Sequence, residues 1–330
     1  STVQRSGDLG SLNLKFIKRI EILKGSQSVL YGGQALSGVI KIETFAKDPL
    51  KNINIEGGTA KDLSAGGEFS SSDLTIRGVS SERQSPSPAQ SSTKTYLSDR
   101  QNADVAYRFA GETEGFVKMS YLHDQIFSPT SDLNFKIVDI TNFKLSNEQS
   151  FLSSSISRPQ ISWSPIISFG VNQGFRQFKL PGSFDEDYKS QFHFLRFEVK
   201  PIKTNFLVLD LGADYNYENF IFRDTGVKKS DAFLEQRGVF AKFTTPLSED
   251  IILSGGMRLE SWDYKSPVSV YQTGLTFSEN TKFEIATGYK APSLYQLHSS
   301  FGNPDLKEER STQVSLIQEW HPGFENYSLT

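Results

Sequence analysis

The chain has 330 residues, a formal net charge of −3 and no cysteine. The charge offers no basic footprint for nucleic acid, and the lack of thiols excludes disulfides and thiolate zinc sites. A run of about 18 apolar residues is nowhere present; this excludes a transmembrane helix but not a membrane β-barrel, in which only alternate residues meet lipid.

The stretch from Ser1 to Leu14 is polar and lacks the features of a signal peptide. With a C-terminus that reads as a strand just beginning, it marks the chain as an internal fragment. Ile20 and Ile22 then begin a strand that runs into Lys24-Gly25. A short segment reaches Tyr31-Gly32-Gly33, and a second apolar run, Val39, Ile40 and Ile42, follows Ser37-Gly38. Gly25, Gly32 and Gly38 are expected at turns, where glycine tolerates unusual backbone angles.

From about residue 52 the pattern is strand throughout, with no convincing helix. Period-two alternation predicts about fourteen strands: 52–59, 63–70, 73–82, 99–110, 115–127, 150–163, 166–178, 189–200, 205–222, 236–245, 251–262, 268–277, 282–290 and 311–320. Leu207, Leu209, Leu211, Ala213, Tyr215 and Tyr217 alternate with Asp210, Gly212, Asp214, Asn216 and Glu218. That row is longer than the usual strand of about five or six residues and matches the roughly 9–11 of a tilted membrane crossing.

Alternation alone fits a soluble β-sandwich equally well. The connections separate the two. Every second one is short, as at Ser70–Asp73, Gly111–Gly115, Ser164-Pro165, Pro201–Thr204, Pro246–Asp250 and Ser278–Thr281. Those between are mostly long and polar: Arg83 to Ser98, Pro129 to Gln149, Lys179 to Lys189, Arg223 to Gln236 and Ala291 to Arg310. Short turns on one rim and long loops on the other mark an outer-membrane barrel, periplasmic and extracellular respectively.

A second motif closes the series. Gly288-Tyr289-Lys290-Ala291-Pro292 is followed by Gly302-Asn303-Pro304-Asp305-Leu306 and Glu309-Arg310-Ser311. Together with Ile20–Thr44 it resembles the TonB-dependent outer-membrane receptors, and among them most the vitamin B12 (cobalamin) subgroup. The sequence departs in having Ser26 where the family's Lys-Gly is usually followed by proline, and Glu308-Glu309 where it has Pro-Glu. The resemblance implies an all-β fold: residues 1–48 as the C-terminal part of a plug domain, and 49–330 as the N-terminal part of a transmembrane antiparallel barrel. About 14 of about 22 strands would be present, leaving the sheet open in this fragment.

It further implies a bacterial outer-membrane receptor, not an enzyme and without a cofactor. Such a receptor imports a scarce large ligand and is energised by a TonB-type coupling protein. Cobalamin is the first expectation; a ferric siderophore or haem is the alternative within the family, and a non-transporting adhesive barrel the alternative outside it. Outer-membrane lipid is the surrounding partner. Arg19 and Lys24, flanking Glu21, are candidates for plug–barrel ion pairs with Glu260, Glu284 and Glu309; the other reading leaves them facing lumen water. Asp185, Glu186 and Asp187, placed in a loop, are either a divalent-cation site or a solvated cluster. His298 is either a haem or metal contact or a plain loop residue. No nucleophile–base set emerges around Ser26, Ser28 and Ser37, which lack a G-x-S-x-G context.

Overall fold

The computed structural model describes residues 17–43, 50–58, 62–87, 94–128, 130–131, 137–138, 143–180, 182–262, 266–277 and 281–318. Ser1 to Leu14 and the last dozen residues fall outside these.

Strands β1 (Arg19–Lys24) and β2 (Gly38–Glu43) form an antiparallel hairpin, Ile20 opposite Ile42 and Leu23 opposite Val39. Between them lie a single-turn helix, α1 (Ser28–Tyr31), and a 3-10 turn at Gly32–Gln34. Everything else belongs to one 14-stranded sheet and its connections. Its first members are β3 (Leu50–Gly57), β4 (Leu63–Ser70), β5 (Leu74–Pro86), β6 (Thr95–Phe109) and β7 (Glu114–Phe127). A two-residue pair, β8 (Thr130–Ser131) with β9 (Ile137–Val138), stands apart in the connection to β10 (Lys144–Ser157). Then come β11 (Ile166–Leu180), β12 (Phe184–Lys203), β13 (Val208–Asp224), β14 (Val227–Pro246), β15 (Ile251–Trp262), β16 (Val268–Phe277), β17 (Thr281–Lys290) and β18 (Glu309–Gln318). Each strand pairs antiparallel with its predecessor, β10 pairing with β7.

The pleat sorts the residues. Val105, Tyr107, Val117, Met119, Phe169, Leu195, Phe197, Leu211 and Val239 are exposed on the outer face. Inner-face neighbours are polar or tightly packed, including Arg77, Ser153, Glu218, Arg258 and Glu284. An apolar exterior with a polar interior inverts the globular arrangement and is that of a membrane barrel wall. The wall is open: β3 and β18 do not pair with each other, and Ile53, Ile55, Val314 and Leu316 stand exposed along the two edges.

Three expectations are corrected. The segments 179–189 and 223–236 are not long loops. β11 and β12 continue paired to a turn near Gly182, and β13 and β14 to a turn at Thr225-Gly226, with a register shift at Phe222/Arg223 in the second pair. The strand placed at 150–163 begins at Lys144 and ends at Ser157. The connection after β17 carries a helix, α2 (Leu294–His298), closed at its start by a capping box in which Ser293 and Gln296 bond reciprocally.

The best-packed region lies on the inner face, near the rim with the longer connections. Tyr188 stacks on Phe222 with ring centroids 4.9 Å apart and meets Tyr295 of α2 at 5.5 Å. Phe220, Leu234, Trp262, Val268, Val270, Tyr289, Ala291 and Leu294 complete the cluster, and Val29 of α1 joins it. Burying Val29 alone stabilises the docked hairpin by about 1.5–3 kcal/mol.

Candidate functional site

The seam between the hairpin segment and the wall is where structure and chemistry concentrate. After β1 the chain turns at Gly25 (φ +84°) and places Ser26 against β17 and β18. The Ser26 amide donates to Gln313 Oε1 at 3.1 Å, and its hydroxyl donates to the Thr287 carbonyl at 2.9 Å. At the end of α1, the Leu30 carbonyl accepts from Arg196 Nη1 at 2.6 Å. A cation is well placed there, beside the last carbonyls of a helix. The Arg196 guanidinium also lies 4.6 Å from the centroid of the Phe240 ring.

Below the 3-10 turn sits a buried charge network. Asp214 on β13 and Glu260 on β15 are both register partners of Gly238 on β14. The missing side chain at 238 leaves a gap that the Arg258 guanidinium fills; a Cβ there would lie 2.5 Å from Arg258 Cζ. Arg258 donates to both Asp214 oxygens, at 2.8 and 2.6 Å, and also to Glu260. The Tyr289 hydroxyl donates to the other Glu260 oxygen. Arg196 joins from the side, 2.9 Å from Glu198 and 3.8 Å from Asp214. Arg258 and Glu260 are almost wholly buried, and such charges persist only when paired and hydrogen-bonded on every side.

Tyr289 reaches this network through a fault in the ladder. The β16–β17 pairing runs from Phe277↔Thr281 to Gln272↔Ala286. Beyond it the Thr287 hydroxyl accepts from the Tyr271 amide at 2.9 Å and donates to its carbonyl at 3.2 Å. Strict alternation is lost there, and both Gly288 and Tyr289 are buried. Gly32 and Gly33 then lie directly over Glu260 and the Tyr289 ring.

Of the residues singled out in sequence, Gly25, Gly32 (φ +74°) and Gly38 (φ +149°) occupy positive-φ positions, and Tyr31 is exposed. Arg19 lies 4.0 Å from Glu21, which Lys41 holds at 3.1 Å; Lys24 is exposed. The expected partners are engaged otherwise. Glu260 goes to Arg258 and Tyr289, Glu284 to Lys282 and Gln272, and Glu309 is exposed opposite Lys290. Among the described residues the plug thus meets the wall through glycines, Ser26, the Leu30 carbonyl and apolar Val29 and Leu36, and the wall supplies both signs of charge.

Ala291 and Pro292 are buried beneath α2, while Gly302 and Asn303 close the following turn through Ser299 and Gln296. Pro304 and His298 take no part in the seam.

The acidic trio is split by the pleat. Asp185 accepts from Gln177 and Lys179 on one face; Glu186 accepts from Tyr188 and Ser300 on the other. Adjacent strand residues point to opposite sides, so the three cannot converge on one cation. Among the described residues no cluster has metal-binding composition. Sequence reasoning missed Arg258, Asp214 and Arg196. The signal available was the combination of Gly238 with charged residues in neighbouring inward rows.

A hairpin sealed onto the inside of a membrane barrel wall is a plug-and-barrel receptor. The profile described as "TonB dependent receptor-like, beta-barrel" matches residues 54–330, and "TonB-dependent Receptor Plug Domain" matches residues 2–39. The chain belongs to the TonB-dependent receptor family, proteins of the bacterial outer membrane that are transporters rather than enzymes.

Its fold is similar to that of several solved structures. A point mutant of the ferric enterobactin receptor PfeA from Pseudomonas aeruginosa matches with a TM-score of 0.74 at 16% identity, over 96% of this chain and 58% of that one. Copper transporter OprC matches with a TM-score of 0.73 at 14% identity, over 96% and 58%. The siderophore receptor PiuA from Acinetobacter baumannii matches with a TM-score of 0.62 at 13% identity, over 83% and 54%. The chain thus spans a little over half the length of each.

Proposed function

We propose that the chain is the plug-and-barrel portion of a transporter that captures a large metal chelate outside the cell and releases it into the periplasm. A TonB-type partner supplies the energy by pulling on the plug. The division falls near residues 48 and 49, between the two matched stretches. The observation that carries this reading is the seam itself: Ser26, Leu30, Gly32 and Gly33 are held by a few hydrogen bonds and close packing against a preformed charge network. Such a contact releases as a unit and re-forms without bond chemistry, as a two-state switch requires. The wall keeps Arg258 paired with Asp214 and Glu260 whether or not the plug is seated, so release strands no charge.

A ferric siderophore is the first ligand to test, in keeping with the names of PfeA and PiuA. Cobalamin is the second, on the strength of the Gly288–Ser311 motif. The test is quenching of intrinsic Trp and Tyr fluorescence in the full-length receptor by ferric siderophores, cobalamin and haem, followed by cellular uptake with and without the TonB-type partner. Saturable quenching by one of them and partner-dependent uptake of the same compound are expected. Uptake that persists without the partner, or no response to any chelate, would sink the reading.

A further inference from the structure

The wall is not laddered all the way up between β16 and β17. β16 pairs with β15 as far as Val268, and β17 pairs with β18 as far as Lys290. Between β16 and β17 the register pairs end at Gln272↔Ala286. Above that line the Thr287 hydroxyl, bonded to the Tyr271 amide and carbonyl, stands in for main-chain bonds. Main-chain bonds between strands are what hold a membrane barrel wall together, so an incomplete ladder is a line of weakness. The contacts that close this line come from elsewhere. On the plug side, the Ser26 hydroxyl donates to the Thr287 carbonyl at 2.9 Å, Ser26, Ser28 and Leu36 crowd Gly288, and Gly33 lies on the Tyr289 ring. Tyr289 in turn reaches past β16 to Glu260 on β15. On the rim side, α2 is seated on more distant strands: its Tyr295 lies 5.5 Å from Tyr188, and the Ser300 hydroxyl donates to Glu186 at 3.1 Å. Leu294 of α2 and Val29 of α1 are buried in one apolar cluster.

We propose that the wall parts between β16 and β17 above Thr287 when the plug leaves, the upper part of β17 swinging with β18 and carrying α2 off its seat. Plug seating and α2 seating are then two readouts of one hinge in the wall. The plug bears on β17 at Thr287, Gly288 and Tyr289, just past the last ladder rung. Its departure therefore removes the contacts that replace the missing rungs. Parting along this line breaks no described register pair; it costs the Thr287 hydroxyl bonds, the Tyr289–Glu260 bond and the α2 seat. Between any other two neighbours of the wall the same movement would strip a row of main-chain bonds, each expensive to leave unmade. α2 follows because only Ala291, Pro292 and Ser293 separate it from Lys290, and all of them are buried. An element with two positions, biased from both ends, couples those ends reciprocally: freeing α2 must loosen the plug by the same factor. The hinge rests on plug release as the working motion of the transporter.

The experiment uses the full-length receptor in nanodiscs without any chelate, so a wrong ligand class leaves its outcome untouched. Spin labels on Ser269→Cys of β16 and Arg310→Cys of β18, both exposed positions, span the line. Labels on Ser269→Cys and Arg237→Cys of β14 span intact ladder instead. Gly33→Val should unseat the plug, raise protease cleavage at residues 25–36, and lengthen and broaden the first distance in pulsed electron resonance while the second stays fixed. Gly33→Ala should give a smaller shift of the same sign should the valine variant not insert. In the other direction, Tyr295→Ala with Ser300→Ala frees α2 without touching the plug and should raise cleavage at residues 25–36 about tenfold. Thr273→Val, which loses a hydroxyl contact to Ser254 within fully paired ladder, should leave that cleavage unchanged. A first distance that stays put while cleavage rises, an equal change in both distances, or wild-type cleavage in the α2 variant overturns the proposal.

Discussion

Gly33 lies against the Tyr289 ring so closely that a methyl group on its Cα would stand 2.6 Å from Tyr289 Cζ. The ring is in turn fixed by its hydroxyl bond to the buried Glu260. The plug segment is thus seated on a surface that has little freedom to retreat.

Gly33→Val should therefore lift the plug from the wall, at a cost of about 1–3 kcal/mol from overpacking. The expected phenotype is entry of large antibiotics into cells carrying the receptor, with faster proteolysis at residues 25–36. Wild-type exclusion and wild-type cleavage rates would mean that the ring moves aside freely.

Arg258→Leu removes the one cation that bridges Asp214 and Glu260. The two buried carboxylates then lose their shared cation, Asp214 keeping Arg196 at 3.8 Å and Glu260 the Tyr289 hydroxyl, which destabilises by up to about 3–5 kcal/mol. Arg258→Lys should recover only part of this, since a single ammonium cannot reproduce the two-pronged contact with Asp214. The temperature at which the folded barrel loses its compact gel mobility reports both; an unchanged temperature for the leucine variant would exclude a structural role for the network.

Leu209 lies in the outward apolar row of β13, opposite Phe243 of β14. Leu209 is the second residue of β13, at the short-turn rim, so Leu209→Arg should cost about 0–1 kcal/mol. Leu211→Arg, deeper in the same row, should cost more, toward the about 2–4 kcal/mol of the bilayer midplane, and lower the inserted fraction of the receptor. Normal insertion of the Leu211 variant would place the row near an interface instead.

Ser26→Pro removes both the amide that donates to Gln313 and the hydroxyl that donates to the Thr287 carbonyl. The loss of the two bonds should be about 1–3 kcal/mol of plug docking. Combined with Gln313→Leu, the effect should fall short of the sum, because both changes remove the same bond. Additivity, read from protease protection of the plug, would show that the two residues act separately.

The parts legible in the sequence were those set by lipid. A row such as Leu207 to Tyr217 must alternate because one side meets hydrocarbon, and the pattern located most of the wall. Where β11 to β14 rise beyond the apolar band, the outer face meets water and the inner face is packed only around Tyr188, Phe222 and Leu234, so no regular alternation is imposed. Asp185-Glu186-Asp187 and Lys228-Lys229-Ser230-Asp231 consequently read as loop although they are ladder. The charge network was hidden for a different reason: an inward Arg258 looks like any lumen residue until Gly238, across the strand, supplies the gap that receives it. The candidate partners of Arg19 and Lys24 are engaged within the wall, Glu260 by Arg258 and Glu284 by Lys282, an arrangement that the inward rows do not announce. The Thr287 fault left no trace in composition, since a threonine in a strand is ordinary.

Ser26 and Gln313 are separated by 287 residues, while every wall strand meets a partner close to it in the chain. Contacts between neighbours close small loops and form early, whereas one spanning 287 residues waits for the strands between. The wall is therefore expected to zip up hairpin by hairpin with the N-terminal segment still untethered. Docking of that segment becomes a late checkpoint in assembly, reached only once β17 and β18 are in place. A polypeptide stalled before Glu309 would hold Arg196 and Tyr289 ready but lack the Gln313 tether, leaving an unsealed pore in the making.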